Sequence, residues 1–295
     1  MSRLPFVKLH GCANDYVLVD ATASDVGDVA ALARAVCARR TGVGADGLLV
    51  VRPPSTPPAV ARMQMVNPDG SEAEMCGNGL RCLAKYLFDR GRAGREFVLE
   101  TLAGPVATRI DATDAAGRAT QLTVAIGIPD FERRHVPMAG PPGVALDEPF
   151  ALASRELRLT ALRLGNPHAV VFVDDVERFP VQSVGPAIER DPRFPQRINV
   201  EFVQVLGPAR LRQRTWERGA GETLACGSGA TAAAIVARKV RGFPPRVSIE
   251  LRGGVLEVEW PGDGAVARLC GPAVESCSGE VDPAGLCSDP GGREA

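Results

Sequence analysis

The sequence lacks an excess of charge of either sign, and it lacks any long apolar run. Lysine and arginine total 34 against 35 aspartates and glutamates, which leaves a formal net charge of −1. Without a basic excess the chain has little with which to neutralise phosphates, so we expect neither nucleic acid nor a membrane as a partner. No stretch reaches the roughly 18 apolar residues of a membrane span, and Met1–Pro5 lacks the pattern of a secretory signal. These absences favour a cytoplasmic protein.

Two common ligand-binding patterns are misplaced or incomplete. Gly42–Gly47 satisfies Gly-x-Gly-x-x-Gly, but a predicted helix precedes it and a predicted strand follows, which is the reverse of a dinucleotide site. Cys76 and Cys82 are spaced too widely for a zinc knuckle. Three further cysteines lie near the C-terminus without a histidine beside them: Cys270, Cys277 and Cys287. We therefore expect no cofactor and no metal.

What the chain does have is length and cysteine. Its 295 residues are enough for two domains of roughly 100 to 150 residues each. Because a reducing compartment disfavours disulfides, we expect the eight cysteines to be thiols with packing, catalytic or metal roles. Comparing the two halves of the chain indicates which cysteines matter.

The two halves resemble each other when the chain is shifted along itself by about 150 residues. Three pairs of segments then coincide in one register: Glu72–Gly79 with Glu222–Gly229, Arg62–Val66 with Arg212–Trp216, and Glu100–Gly104 with Glu250–Gly254. A single match could arise from chance similarity of Gly-rich loops, but three matches in one register indicate a duplication. A repeat this long predicts two similar α/β domains rather than a solenoid.

The repeat places one cysteine at the same point in each half. Cys76 and Cys226 both stand directly before Gly-x-Gly and an apolar helical stretch, so each thiol is expected at a helix N-terminus. Unpaired N–H groups and the helix dipole stabilise a thiolate there, which predicts a lowered thiol pKa, and they also bind a carboxylate. The glycines would let a ligand approach the backbone closely.

A symmetric pair of thiols suits one class of reaction. A thiolate on one face of a carbon removes a proton while a thiol on the other face delivers one, which inverts the stereocentre. Two other interpretations remain open. Cys76 and Cys226 could be small buried residues that close helix–sheet packing, or they could form a switchable disulfide in a thiol redox sensor or binding protein.

At this point the sequence resembles a known family. Its motifs are similar to those of diaminopimelate epimerases from Phe6 to about Pro272, and five segments carry the resemblance: Lys8–Asp15, Asn67–Arg81, Gly165–His168, Arg197–Val200 and Arg214–Ala230. Proline racemases resemble it in the cysteine pair, whereas phenazine-biosynthesis-type isomerases lack that pair. The run Glu217–Thr223 favours the diaminopimelate enzymes.

The resemblance implies an α+β fold of two pseudo-symmetric domains, each a curved, mostly antiparallel sheet around a central helix, with the active site in the interdomain cleft. The expected domains are residues 1–127 and 128–269, with 270–278 joining the first and 279–295 forming a flexible tail. The Pro- and Gly-rich stretch 129–149 is expected to connect them. The implied activity is cofactor-independent epimerisation of LL- to meso-diaminopimelate, towards lysine and peptidoglycan, by a homodimer.

The resemblance also implies roles for individual residues. Cys76 and Cys226 would be the acid/base pair, and His168 and Glu217 would tune their protonation. Donors to the carboxylate at the reacting centre would come from Gly77, Asn78, Gly227 and Ser228. The remaining substrate contacts would be Asn14, Asn67, Asn166, Asn199, Glu217 and Arg218.

Each of these residues also has an ordinary structural interpretation. The asparagines could be turn formers, Glu217 and Arg218 a surface ion pair, and His168 a packed turn histidine. The chain also departs from the family pattern at two places. Cys12 and Ala13 fill a turn where an apolar residue and Gly are usual, and Gly47 stands where many members carry a substrate-contacting Gln, so we assign no contact to it.

Overall fold

The computed structural model describes residues 3–152 and 155–286, and the chain divides into two compact units. The first unit runs up to Leu122 and resumes at Pro272, and the second runs from Thr123 to Gly271. Within the described residues, no helix is both long enough and apolar enough to cross a membrane.

Strands dominate both units. In chain order the elements are β1 Leu4–Gly11, β2 Asn14–Asp20, α1 Val29–Cys37, β3 Gly47–Arg52, β4 Ala59–Val66, β5 Glu72–Ala73, α2 Gly77–Asp89, β6 Glu96–Thr101, β7 Gly104–Thr113, β8 Ala119–Gly127, β9 Glu148–Leu152, β10 Arg155–Leu164, β11 Asn166–Phe172, α3 Val181–Glu189, β12 Asn199–Gly207, β13 Arg210–Glu217, β14 Gly221–Thr223, α4 Gly227–Arg241, β15 Arg246–Leu251, β16 Gly254–Glu259, β17 Ala267–Pro272, β18 Val274–Val281 and α5 Pro283–Leu286.

The first unit is a mixed sheet packed against α2. The hairpin β1–β2 is followed by a parallel pairing of β2 with β3, an antiparallel pairing of β3 with β4, a parallel pairing of β4 with β6 and the antiparallel pair β6–β7. Helix α2 contacts β1, β2, β3, β4 and β7. Its side chains Leu80, Leu83 and Leu87 are buried, so the apolar spacing seen in the sequence is what seats this helix.

The second unit repeats this succession element by element. The hairpin β10–β11 is followed by parallel β11–β12, antiparallel β12–β13, parallel β13–β15 and antiparallel β15–β16. Helix α4 contacts β10, β11, β12, β13, β15 and β16, and its residues Gly229–Ala237 are all buried. The predicted α+β class and its duplication are therefore confirmed, because two distant parts of the sequence build the same sheet and central helix.

The stretch 129–149 is not a connection between the units, contrary to expectation. The division falls inside strand β8, and residues 129–149 belong to the second unit. There Val136, Met138 and Ala145 join the main apolar core of that unit. The prolines and glycines bend this segment, but its buried apolar side chains anchor it.

The tail predicted over 279–295 was wrong at its beginning. Residues 279–281 are the end of β18, which pairs with β1 as far as Leu4 opposite Val281, and α5 follows. Backbone pairing with β1 needs no apolar side chains, and most of β18 exposes its own, so the composition did not reveal the strand. The remainder of the predicted tail, residues 287–295, lies outside the described residues.

A glycine in α3 tests how tightly the second unit is packed. A Cβ added at Gly185 would lie 2.6 Å from Cγ of Trp216. Alanine is the better helix former by about 1 kcal/mol, but overpacking typically costs about 1–3 kcal/mol. We expect Gly185→Ala to lower the free energy of unfolding, measured by urea denaturation. Gly207→Ala is the matched control, because nothing lies within 4 Å of its added Cβ, and it should change that free energy by less than about 0.5 kcal/mol.

Candidate active site

Each of the two repeated cysteines caps the N-terminus of its central helix. Cys76 precedes α2 with φ −144° and ψ 111°, and its Sγ accepts the Gly79 N–H at 3.4 Å. Cys226 precedes α4 with φ −121° and ψ 113°, and its Sγ accepts the Gly229 N–H at the same distance. The predicted helix starts are therefore present, and each sulfur lies at the positive end of a helix.

The second glycine of each Gly-x-Gly keeps the space beside the sulfur open. A Cβ added at Gly79 would lie 3.0 Å from Leu49 Cδ2 and 3.6 Å from Cys76 Sγ. A Cβ at Gly229 would lie 2.6 Å from Glu201 Oε1 and 3.2 Å from Cys226 Sγ. The same comparison shows that Leu49 and Glu201 occupy matching places beside the two cysteines.

Polar groups of the first unit converge on Cys76. The Tyr16 hydroxyl lies 3.0 Å from its Sγ and also donates to Asn14 Oδ1. Asn78 Nδ2 donates to the same Asn14 oxygen at 3.0 Å, and Asn14 Nδ2 donates to Asp46 at 2.8 Å. The predicted residues Asn14 and Asn78 thus form one hydrogen-bonded group, and Tyr16, which the sequence analysis missed, links Asn14 to the sulfur of Cys76.

The turn that carries Asn14 is a two-residue hairpin turn. Gly11 pairs with Asn14, and the intervening Cys12 and Ala13 have φ of 53° and 61°. Positive φ at both central residues is the type I′ geometry that matches the twist of a hairpin. The departure from the family pattern at these two positions therefore leaves a regular turn, at the cost of two non-glycine residues in the left-handed region.

Carboxylates surround Cys226 in the second unit. The carboxylates of Glu217 and Glu201 both act electrostatically on its thiol, and Glu217 accepts a hydrogen bond from Thr223. The pKa of Cys226 lies well above its usual range because the thiol is buried, and because the Glu217 and Glu201 carboxylates disfavour a second negative charge. The lowered thiol pKa predicted from the helix terminus is therefore wrong for this cysteine. Burial also raises the pKa of Glu217.

The ring of His168 hydrogen-bonds to a carboxylate and to an amide. Its fully buried ring places Nδ1 2.8 Å from Glu201 Oε1 and Nε2 2.7 Å from Asn166 Oδ1. The histidine predicted to tune a cysteine thus contacts Glu201, which bears on Cys226. Sequence reasoning missed Glu201, although one signal was present: it is the single charged residue in the otherwise apolar run Val200–Val203.

The strand registers show which residues of the two units correspond. Tyr16 pairs with Gly47 across β2 and β3, as His168 pairs with Asn199 across β11 and β12. Tyr16 and His168 each stand two residues after an asparagine and hydrogen-bond its Oδ1. One residue takes the place of the other, so the two units share a backbone frame but differ in the chemistry around the cysteine.

The other predicted contacts lie in both units. Asn67 Nδ2 donates to Ser71 Oγ at 3.0 Å within a turn of the first unit. In the second unit Asn199 Nδ2 donates to the Pro167 carbonyl, and its Oδ1 accepts the Arg218 N–H at 2.9 Å. The remaining predicted residues stand at the helix starts: Gly77 and Gly227 open their helices, and Ser228 Oγ lies 3.5 Å from Cys226 Sγ.

A family model described as diaminopimelate epimerase matches residues 6–129 and 160–275. The chain belongs to the diaminopimelate epimerase family. A diaminopimelate epimerase of Moorella thermoacetica is 49% identical over 278 residues, covering 93% of this chain and 98% of its own. One of Geobacillus kaustophilus is 43% identical over 286 residues, covering 95% and 97%.

Solved structures share the fold of this diaminopimelate epimerase family member at low sequence identity. A hydroxyproline epimerase from Agrobacterium vitis aligns with a TM-score of 0.69 at 19% identity, covering 96% of this chain and 94% of its own. A PhzF-family phenazine biosynthesis protein from Bacillus anthracis aligns with a TM-score of 0.68 at 17% identity, covering 95% and 99%. Both likenesses concern the fold alone.

Across residues 3–152 and 155–286, no three or more His, Cys, Asp or Glu side chains are grouped so that they could hold a metal ion. Cys287 lies outside this part of the chain. The chemistry that the described site offers is proton transfer at sulfur and carboxylate, with amides and helix N–H groups as hydrogen-bond donors.

The carboxylates around Cys226 give a testable pH dependence. Replacing Glu217 with Gln removes a negative charge that disfavours the thiolate, so we expect the pKa of Cys226 to fall. The measurement is the rate of Cys226 alkylation against pH, followed on its own peptide by mass spectrometry. Glu250→Gln is the control, because Arg210 and Arg212 hold that carboxylate. A Glu217→Gln profile that coincides with that of the parent protein would contradict this electrostatic account.

Proposed function

We propose that the protein is a cofactor-independent epimerase that interconverts LL- and meso-2,6-diaminopimelate, a step towards lysine and peptidoglycan. The observation that carries the proposal is the pair of cysteine helix caps at equivalent points of a duplicated fold. Relatives that are 40–49% identical over nearly the whole chain are named diaminopimelate epimerase, and those names supply the substrate.

Proton exchange at the α-carbon is the chemistry that we assign to the two cysteines. One sulfur, as thiolate, takes the α-proton while the other, as thiol, delivers a proton to the opposite face. After inversion the protonation states are exchanged, and the reverse reaction starts from them. The proposal requires that Cys76 and Cys226 reach the same carbon.

We assign to the N-termini of α2 and α4 the binding of the substrate carboxylate next to that carbon. Removing the α-proton spreads negative charge onto the carboxylate, and preorganised donors in a site shielded from water stabilise it. We propose the residues after each cysteine for this task, Gly77 and Asn78 in one unit and Gly227 and Ser228 in the other. Helix N-termini bind carboxylates through their unpaired N–H groups.

The other predicted residues are assigned to the ends of the substrate. A molecule with two amino acid ends needs donors for its carboxylates and acceptors for its ammonium groups. We propose Asn14, Asn67, Asn166, Asn199 and Arg218 as donors and Glu217 as an acceptor. The cytoplasm as location and a homodimer as assembly are also proposed, both on the resemblance to the family.

The raised pKa of Cys226 favours this cysteine as the proton donor. Burial and two nearby carboxylates keep its sulfur protonated. The first unit has the apolar Leu49 at the place where the second unit has the carboxylate of Glu201. We therefore assign the thiol of the resting pair to Cys226 and the thiolate to Cys76.

Solvent exchange tests reaction and substrate together. In D₂O, without added pyridoxal phosphate or metal, the protein should incorporate deuterium at the inverted α-carbon of LL-diaminopimelate, followed by NMR or mass spectrometry. Proline and hydroxyproline serve as comparison substrates, and they should remain unlabelled. Labelling of proline instead of diaminopimelate would reassign the substrate. Absence of label from diaminopimelate, proline and hydroxyproline alike would contradict the proposal.

Cysteine variants test the assigned residues. Cys76→Ala and Cys226→Ala should each reduce epimerisation by at least about a thousandfold, because each removes one of two required proton carriers. Cys277→Ala, which alters an exposed cysteine on β18, should keep the parental rate. Unchanged turnover in either of the first two variants would exclude a two-base mechanism.

Arg218 offers a test of substrate binding. Its side chain is exposed, and Nη1 donates to the Gln196 carbonyl at 3.2 Å. If its guanidinium binds a substrate carboxylate, Arg218→Ala should raise KM about tenfold or more, since a charge-assisted hydrogen bond is lost. Steady-state kinetics in both directions give this value. Arg178→Ala is the control, because Arg178 is an exposed arginine that pairs with Asp175 on the surface, and this variant should keep the parental KM.

A further inference from the structure

Tyr16 is a buried tyrosine in contact with a proposed catalytic sulfur. Its side chain is only 1% exposed, and its hydroxyl lies 3.0 Å from Cys76 Sγ. The same hydroxyl donates to Asn14 Oδ1, which also accepts from Asn78. The chain has one other tyrosine, Tyr86, and its hydroxyl bonds to Asp20 instead.

The phenol can serve both protonation states of Cys76. It carries one proton and two acceptor sites. While Cys76 is a thiol, its S–H can donate to the Tyr16 oxygen, and the phenol proton is directed to Asn14. Once Cys76 is a thiolate, the phenol proton can turn to the sulfur, while Asn14 keeps the hydrogen bond from Asn78. The hydrogen bond from the phenol to the thiolate is stronger than the one from the thiol to the phenol oxygen, because its acceptor is charged. The rotation of the phenol proton therefore favours the thiolate.

We propose that Tyr16 is a positioning residue that stabilises the thiolate of Cys76 and thereby sets it as the proton acceptor. This inference rests on the proposed function. Tyr16 also orients Asn14, one of the proposed substrate contacts, through the hydrogen bond between them.

Four other polar side chains of the first unit have protonation states or hydrogen-bond partners of their own. Cys82 interacts with both Cys76 and Cys12, and burial raises the pKa of Cys82 to about 12 and also raises the pKa of Cys12. Both remain neutral near pH 7. The charged side chains Arg81 and Asp46 hydrogen-bond to Asn78 and Asn14 respectively.

The second unit shows why this support belongs to one cysteine. His168 takes the place of Tyr16, but its ring hydrogen-bonds Glu201 and Asn166. Cys226 is left among carboxylates that favour its thiol. The same position of the repeat therefore contacts the cysteine sulfur in one unit and a buried carboxylate in the other.

The test compares the only two tyrosines. In Tyr16→Phe the Cys76 alkylation rate by iodoacetamide at pH 7, read on its own peptide by mass spectrometry, should fall about tenfold, because a hydrogen bond to a charged group is lost. At high pH, where the thiolate forms in any case, the rates of variant and parent should converge. Tyr86→Phe also removes a buried tyrosine hydroxyl, and it should leave the whole profile unchanged.

Activity should follow the same pattern. The kcat/KM of Tyr16→Phe should fall about tenfold at pH 7 and recover as the pH rises, which a merely structural role would not produce. An unchanged Cys76 alkylation profile in a variant that still epimerises diaminopimelate would overturn the role of Tyr16 alone. Absence of epimerisation in the parent protein would instead overturn the proposed function.

A second variant covers the case in which Tyr16→Phe does not fold. Incorporating 2,3-difluorotyrosine at position 16 keeps the ring and hydroxyl but makes the phenol a stronger donor. Cys76 should then react faster at pH 7 than in the parent protein. A rate equal to or below that of the parent would contradict the proposal.

Discussion

The cap that each cysteine forms on its helix is the interaction on which the site depends. A helix N-terminus needs an acceptor for its first N–H groups, and Ser, Thr, Asp and Asn serve best. A sulfur is a weaker acceptor, so Cys76 and Cys226 are not the choices that helix stability alone would favour. Burial of α2 and α4 against their sheets compensates, because tertiary packing supplies most of a helix's stability. The sulfur can therefore remain at the helix terminus, where it is chemically useful.

Duplication gives the two cysteines the same geometry without giving them the same electrostatics. The strands, the cap and the helix repeat, whereas Leu49 faces one cysteine and Glu201 the other. A two-base reaction needs opposite protonation states at the same moment, and two identical environments would not favour either arrangement. A few different side chains on the repeated backbone are enough to keep Cys226 protonated, since nearby charges shift the pKa of a buried thiol strongly.

The sequence allowed much of the frame to be predicted, because its signals are local. Gly-x-Gly after a cysteine, helical spacing after it and strands before it all lie within a few residues of each other, and the shift of about 150 residues made them stand out twice. Tyr16 and Glu201 were not found, because their importance depends on which strands pair. Locally Tyr16 is an ordinary strand residue, and the single charge of Glu201 in an apolar run does not indicate that it lies near a cysteine. The segment 129–149 was misassigned for a related reason, since its turns are visible in the sequence but its buried contacts are not.

Glu201 illustrates what such a site costs the fold. Its carboxylate is fully buried, His168 engages Oε1, and within the described residues Oε2 has no hydrogen-bond partner. A buried carboxylate with an unsatisfied oxygen is destabilising by about 1–3 kcal/mol or more, and an apolar residue of similar size, such as the leucine at the matching place in the first unit, would avoid that penalty. The second unit tolerates the charge at the one position where it bears on Cys226. This destabilising group makes physical sense as the means by which a symmetric frame holds one of its two thiols protonated.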